Sequence, residues 1–212
     1  MRSAQQRNLR GLGAFALATL AVTACGGEAP TRFYTLVRPT PLAPLAAGQA
    51  AFAIDVQPVR VPAQVNQPEL VVRQGNGEVA LVETRRWIAP LPDEVRGALV
   101  AELGAALGAQ DVSRVAPPPG APVYRVLVDV QRLDARLATS VRLDAVWTVL
   151  DVSAPGTLKA RWTCSTQVTA PVGAGYDALV NGAQAGLARL AADIAGVVEA
   201  AQRDRAAVRC PG

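Results

Sequence analysis

Between Val123 and Val168 the chain runs through three long stretches in which apolar and polar residues alternate, and this limits the fold more than any other feature. The stretches are Val123 to Leu133, Val141 to Val152 and Thr157 to Val168. A period of two puts every second side chain on one face of a strand. If Ser153-Ala154-Pro155-Gly156 turns the last two into a hairpin, Val152 faces Thr157 and the register matches Trp147 to Trp162, Val149 to Ala160, and Ala145 to Cys164. One face is then apolar and the other carries Arg142, Asp144, Arg161 and Thr163, as a half-buried antiparallel pair requires. Trp147 and Trp162 are expected in the core.

Pro171 and two glycines close the last strand, and Tyr176 to about Arg203 reads as the longest helix, with Leu179, Ala183, Leu187, Leu190, Ile194, Val197 and Ala201 on one stripe. Earlier, Arg32 to Val37 is β-like, and Phe52 to Gln57 alternates. Leu70 to Arg73 and Val79 to Val82 flank Gly75-Asn76-Gly77 as a hairpin. Pro90-Leu91-Pro92 leads into a second helix whose Val95, Leu99, Leu103 and Leu107 recur every four residues; Asp93 stands where it can cap or charge the first turn, and Gly108 stops the helix. Strands, helix, strands, helix predict the α+β class: an antiparallel sheet with two main helices packed on one face, in a single domain over 32–212. The core should be built from Val, Leu, Ala and Ile, since half of the residues are hydrophobic and only 4% aromatic. There is no internal repeat.

The first 24 residues read differently. Arg2, Arg7 and Arg10 precede an apolar run from Gly11 to Val22, which is the order of a secretory signal peptide. The run is little more than half of the roughly 20 residues a membrane span needs. Val22-Thr23-Ala24-Cys25 resembles a bacterial lipobox. That resemblance implies a diacylglyceryl group on the Cys25 thiol, cleavage before Cys25, and acylation (palmitate or a similar chain) of the new amino group. The plainer alternative is an ordinary cleavage site beside an incidental cysteine. With the anchor, residues 25–31 form a tether, and Gly26, where many inner-membrane lipoproteins carry aspartate, favours the periplasmic face of the outer membrane over the inner membrane.

Loss of the signal removes three arginines, so 21 basic residues become 18 against 17 acidic ones and the net charge falls from +4 to +1. A nearly neutral surface argues against nucleic acid as a partner. With Cys25 assigned to lipid, Cys164 and Cys210 remain in a compartment where disulfides persist. Either they bridge, tying the C-terminal tail to the body, or Cys164 is a buried free thiol beside a frayed tail. The chain has no histidine, which removes the histidine-based catalytic triads and the commonest zinc ligand. No metal site, cofactor or catalytic residue is expected. Asp93-Glu94 suits a helix N-terminus better than acid/base chemistry. The reading is of a protein that is not an enzyme.

Trp87 stands beside Arg85 and Arg86 and before a proline-bounded turn, where it either packs under the helix or marks a contact surface; Phe33 and Tyr34 leave the same choice open. Several motifs together resemble the auxiliary lipoproteins of ABC-type intermembrane transport, the PqiC/YmbA family. These are the lipobox with its short tether, Phe33-Tyr34-Thr35-Leu36, Val56 to Pro62 leading into Pro68-Glu69-Leu70-Val71-Val72-Arg73, and Arg86-Trp87 with Pro90-Leu91 ahead of a helix. Ile88-Ala89 departs from the alanine and acidic residue the family pattern has after the tryptophan. The resemblance implies a non-catalytic subunit that docks an MCE-domain transport protein at the outer membrane, assembles into a homo-oligomeric ring, and shelters lipid as it passes. Phe33, Tyr34, Arg86, Trp87, Pro90 and Leu91 are the candidate contacts. Two other readings remain: an outer-membrane assembly or envelope-structural lipoprotein, and a monomeric carrier with its own hydrophobic pocket.

Overall fold

The alternating stretches become three long antiparallel strands, β5 (Val123–Arg136), β6 (Ser140–Ser153) and β7 (Thr157–Pro171), joined in that order. The structure, a computed structural model, describes residues 29–39, 51–75, 77–117, 119–153 and 157–212. The expected signal segment, Cys25 and most of the expected tether, together with Asn76 and residues 154–156, where the sequence suggests a turn, lie outside them. Tyr124, Val126, Val128, Leu143, Ala145, Trp147, Val149 and Cys164 are buried on one face of the sheet. Thr166 joins the same face, accepting a 3.0 Å hydrogen bond from the Trp147 indole and donating one of 2.8 Å to Asp193. That gives the one polar tip of a fully buried tryptophan its partner. Trp162 is half-buried at the margin of the core.

The faces match the expectation, but the register does not. Trp147 pairs with Cys164, Val149 with Trp162 and Ala145 with Thr166, because Ser153 pairs with Thr157 and a bulge follows at Asp151/Val152. The pairing is displaced by two positions, which leaves every side chain on its expected face.

The sheet is not purely antiparallel. β2 (Ala53–Val56) joins β5 in parallel, giving the order β2-β5-β6-β7. A second, three-stranded sheet has the order β1-β4-β3, in which β3 (Glu69–Arg73) and β4 (Val79–Trp87) form the expected hairpin and β1 (Arg32–Tyr34) lies parallel to β4. Thus one antiparallel sheet is replaced by two mixed ones within the α+β class. Alternation marks a strand and its buried face, and it is blind to strand direction, so the short non-local partners β1 and β2 carried no signal of their parallel pairing.

α1 (Leu91–Leu107) and α2 (Tyr176–Arg203) pack against each other, and α2 lies over β6 and β7. Gly108 ends α1 in the left-handed conformation, φ 61°, with its N–H bonded to Gly104 O at 3.0 Å. Close approach of α2 to the sheet depends on Gly182 and Gly186: a Cβ at Gly182 would collide with Val172 Cγ1 and stand 3.3 Å from Val141 Cγ2, and one at Gly186 would stand 3.5 Å from Leu143 Cβ. Gly196, further along the same helix, faces open space. Gly182 and Gly196 therefore predict opposite results. Gly196→Ala gains helix propensity of about 1 kcal/mol. Gly182→Ala makes the same gain but overpacks at a cost of about 1 to 3 kcal/mol. Thermal denaturation should show a raised midpoint for the first and a lowered one for the second; a raised midpoint for both would mean that Val172 yields freely.

At the far end, the chain turns through a 3₁₀ segment, Arg205–Ala207, and comes back to β7. The sulfurs of Cys164 and Cys210 lie at bonding distance, with their Cα atoms 5.4 Å apart. Val208, 8% exposed, joins the core nearby.

Candidate contact edge at the first strand and first helix

β1, the end of β4 and the start of α1 meet at one side of the three-stranded sheet. Their backbone bonds fix the meeting: Ile88 N donates to Tyr34 O at 2.9 Å and Trp87 N to Pro68 O at 2.8 Å. Because β1 is parallel to β4 with Phe33 opposite Arg86 and Tyr34 opposite Trp87, alternation sends the first pair outward and the second inward. Phe33 is 59% exposed, whereas Trp87 is 8% exposed. Arg86 pairs with Glu69 across the sheet at 3.0 Å.

The inward side is tied down by polar contacts. Tyr34 donates its hydroxyl proton to Asp177 at 2.9 Å, on the first turn of α2. Burial, then the hydrogen bond and charge of Asp177, push the Tyr34 phenol above its ordinary value, against the opposing charges of Arg85 and Arg32. Arg85 lies over the Tyr176 ring, 5.3 Å from its centre. Glu94, buried in the first turn of α1, accepts 2.7 Å bonds from Thr35 Oγ1 and Leu36 N. One carboxylate thus joins the exit of β1 to the start of α1, where the helix dipole also favours a negative charge.

α1 starts without a side-chain cap. Pro90 occupies the N-cap, Pro92 is accepted in the first turn where its missing N–H costs nothing, and Asp93 adds charge there. Pro90 is exposed and Leu91 is 1% exposed.

Of the six candidate contacts, Phe33, Arg86 and Pro90 present side chains at the surface; Tyr34 is half-buried, and Trp87 and Leu91 belong to the core. Ile88, 62% exposed, stands beside them and is not among the six. Its signal was available, because it follows the inward Trp87 at a strand end and alternation turns it outward. Cys164 and Cys210 sit away from this edge, on β7 and the C-terminal tail. Cys25 lies outside the described residues. Among the described residues, no group of three or more Cys, Asp or Glu side chains is arranged to hold a metal ion, and no helix is long and apolar enough to cross a membrane.

A family model described as the ABC-type transport auxiliary lipoprotein component matches residues 34–195. Crystal structures that resemble the chain include two of similar length. One, of an uncharacterized protein, is 21% identical with a TM-score of 0.62, covering 79% of this chain and 97% of the other. The second, a Xanthomonas campestris protein of the DUF330 family, is 17% identical with a TM-score of 0.55, covering 82% and 99%. At these identities the likeness is one of fold. No curated protein sequence matches the chain significantly.

Proposed function

The chain belongs to the family of ABC-type transport auxiliary lipoprotein components, and from that membership we propose that it is a non-catalytic subunit, held by lipid at Cys25 on the periplasmic face of the outer membrane, that docks an MCE-domain transport protein. The observation that carries the docking edge is the outward pair Phe33 and Ile88, 59% and 62% exposed, beside Arg86 and Pro90. Large apolar side chains standing together in water suit a contact surface. Aromatic and arginine side chains are also enriched among residues that dominate binding energy.

Position supports the same reading. Arg32 is seven residues beyond Cys25, and an extended chain spans about 3.5 Å per residue, so β1 stays within about 25 Å of the anchor. A partner docked on this edge would therefore lie close to the proposed lipid anchor. A homo-oligomeric ring of the subunit around that partner belongs to the same proposal.

The carrier reading finds less support. The apolar cleft between the sheets, lined by Leu70, Trp87, Leu133 and Leu179 among others, holds about 20 Å³. Ligand pockets ordinarily enclose about 300 to 1,000 Å³.

The test is capture of the partner from gently solubilised envelopes by tagged full-length protein. Phe33→Glu with Ile88→Glu is expected to abolish recovery of an MCE-domain protein while leaving the melting temperature within about 2 to 4 °C of the parent, since exposed substitutions change stability little. Undiminished capture would move the contact elsewhere. Recovery of an outer-membrane barrel alone would favour the assembly reading.

A further inference from the structure

At the other end of β4, near the β3–β4 turn, the surface folds into a polar cleft of about 430 Å³. Arg73 of β3 faces Arg132, Asp134 and Arg136 of β5, and Val65 and Leu133 also border the cleft. The three β5 residues share one face because they alternate after the bulge at Val130/Arg132. The bulge therefore decides which way they point.

Charge in the cleft does not balance. Asp134 holds Arg73 at 3.0 Å and Arg132 at 3.6 Å; Arg132 also reaches Asp144 at 3.2 Å, which in turn binds Arg142 at 3.0 Å. Two carboxylates thus serve three arginines. Arg136 has no ion pair or side-chain hydrogen bond among the described residues. Among the residues that line the cleft, three guanidinium groups, Arg73, Arg132 and Arg136, therefore stand over the one carboxylate of Asp134. Arg73 is further held with its Nε buried and without a hydrogen-bond partner, so part of this charge is shielded from water. Planar guanidinium groups match phosphate geometry and bind it through paired, charge-assisted hydrogen bonds.

We propose that this cleft binds a phosphate-bearing anion, with the phosphate at Arg132 and Arg136 and the rest of the ligand toward Val65. The volume falls within the range of small-molecule sites. Val65 and Leu133 also line the narrow apolar cleft between the sheets. The cationic seat therefore adjoins an apolar seam, which suits a phosphate carried on an amphiphile.

The site is at the opposite end of β4 from Phe33 and Ile88, so its failure and that of the docking edge are separable. Full-length protein in neutral detergent would be titrated calorimetrically with inorganic phosphate, glycerol 3-phosphate, and short-chain phosphatidylglycerol and phosphatidylcholine. Saturable binding of phosphatidylglycerol is expected, with Arg136→Glu weakening it by about tenfold or more, the effect of losing a charge-assisted contact. Equal binding of inorganic phosphate would assign the site to a free anion, and preference for the lipid would assign it to a headgroup. Arg161→Glu, on β7, makes the same change in net charge elsewhere. The proposal falls if no anion saturates, if Arg136→Glu binds as the parent does, or if Arg161→Glu weakens binding equally.

Discussion

A Cys25→Ala protein is expected to leave the membrane fraction altogether. Burial of acyl chain contributes about 0.8 kcal/mol per CH₂, and two or more chains hold a protein on a bilayer where one does so only marginally. No helix among the described residues offers a substitute span. The parent should be released only by detergent, and mass spectrometry of its mature N-terminus should show an acylated cysteine. The variant should appear in the soluble envelope fraction with the same fold. A variant that stayed on the membrane would place the anchor elsewhere and sink the lipid assignment.

The second large effect concerns Cys164 and Cys210. A bridge between residues 46 apart in sequence restricts the unfolded chain by about 4 kcal/mol in the chain-entropy account. For a domain of this size each kcal/mol moves the midpoint by about 2 to 4 °C, so Cys164→Ala with Cys210→Ser should melt some 8 to 16 °C lower. A reductant should lower the parent by a similar amount and leave the variant unchanged. Two titratable thiols in the oxidised, folded parent would show that the bridge is absent.

Much of this fold was legible in the sequence, for a reason visible in β5 to β7. Their alternation reports burial directly, and burial is what the sheet and α2 share. Helix α1 ends at Gly108 because only a residue tolerant of positive φ closes it there without strain. What the sequence hid was direction and register: the three-residue β1 carries no mark of its parallel pairing with β4, and the bulge at Asp151/Val152 has no distinctive residue. The proposed contact edge was half legible. Arg86 and Phe33 face outward as a contact requires, but Trp87, read beside its arginines, turns inward because alternation on β4 outweighs the company it keeps. The arginine cleft was invisible, since Arg73 and Arg136 are 63 positions apart and only the packing of β3 beside β5 brings them together.

The Glu94 clamp on Thr35 and Leu36 has a mechanical side. If the chain is tethered at Cys25 as proposed, tension from the envelope would enter the domain at Arg32, the first residue of β1. A strand pulled along its own axis shears its hydrogen bonds together instead of opening them one at a time, and β1 has only three residues to share the strain. The next restraint along the force path is the carboxylate of Glu94, which passes the pull into α1. Under tension, the lifetime of the folded state is set by the rate of unfolding and not by equilibrium stability. Glu94 would then govern how long the domain withstands a pulling membrane, even where its effect on the melting temperature is small.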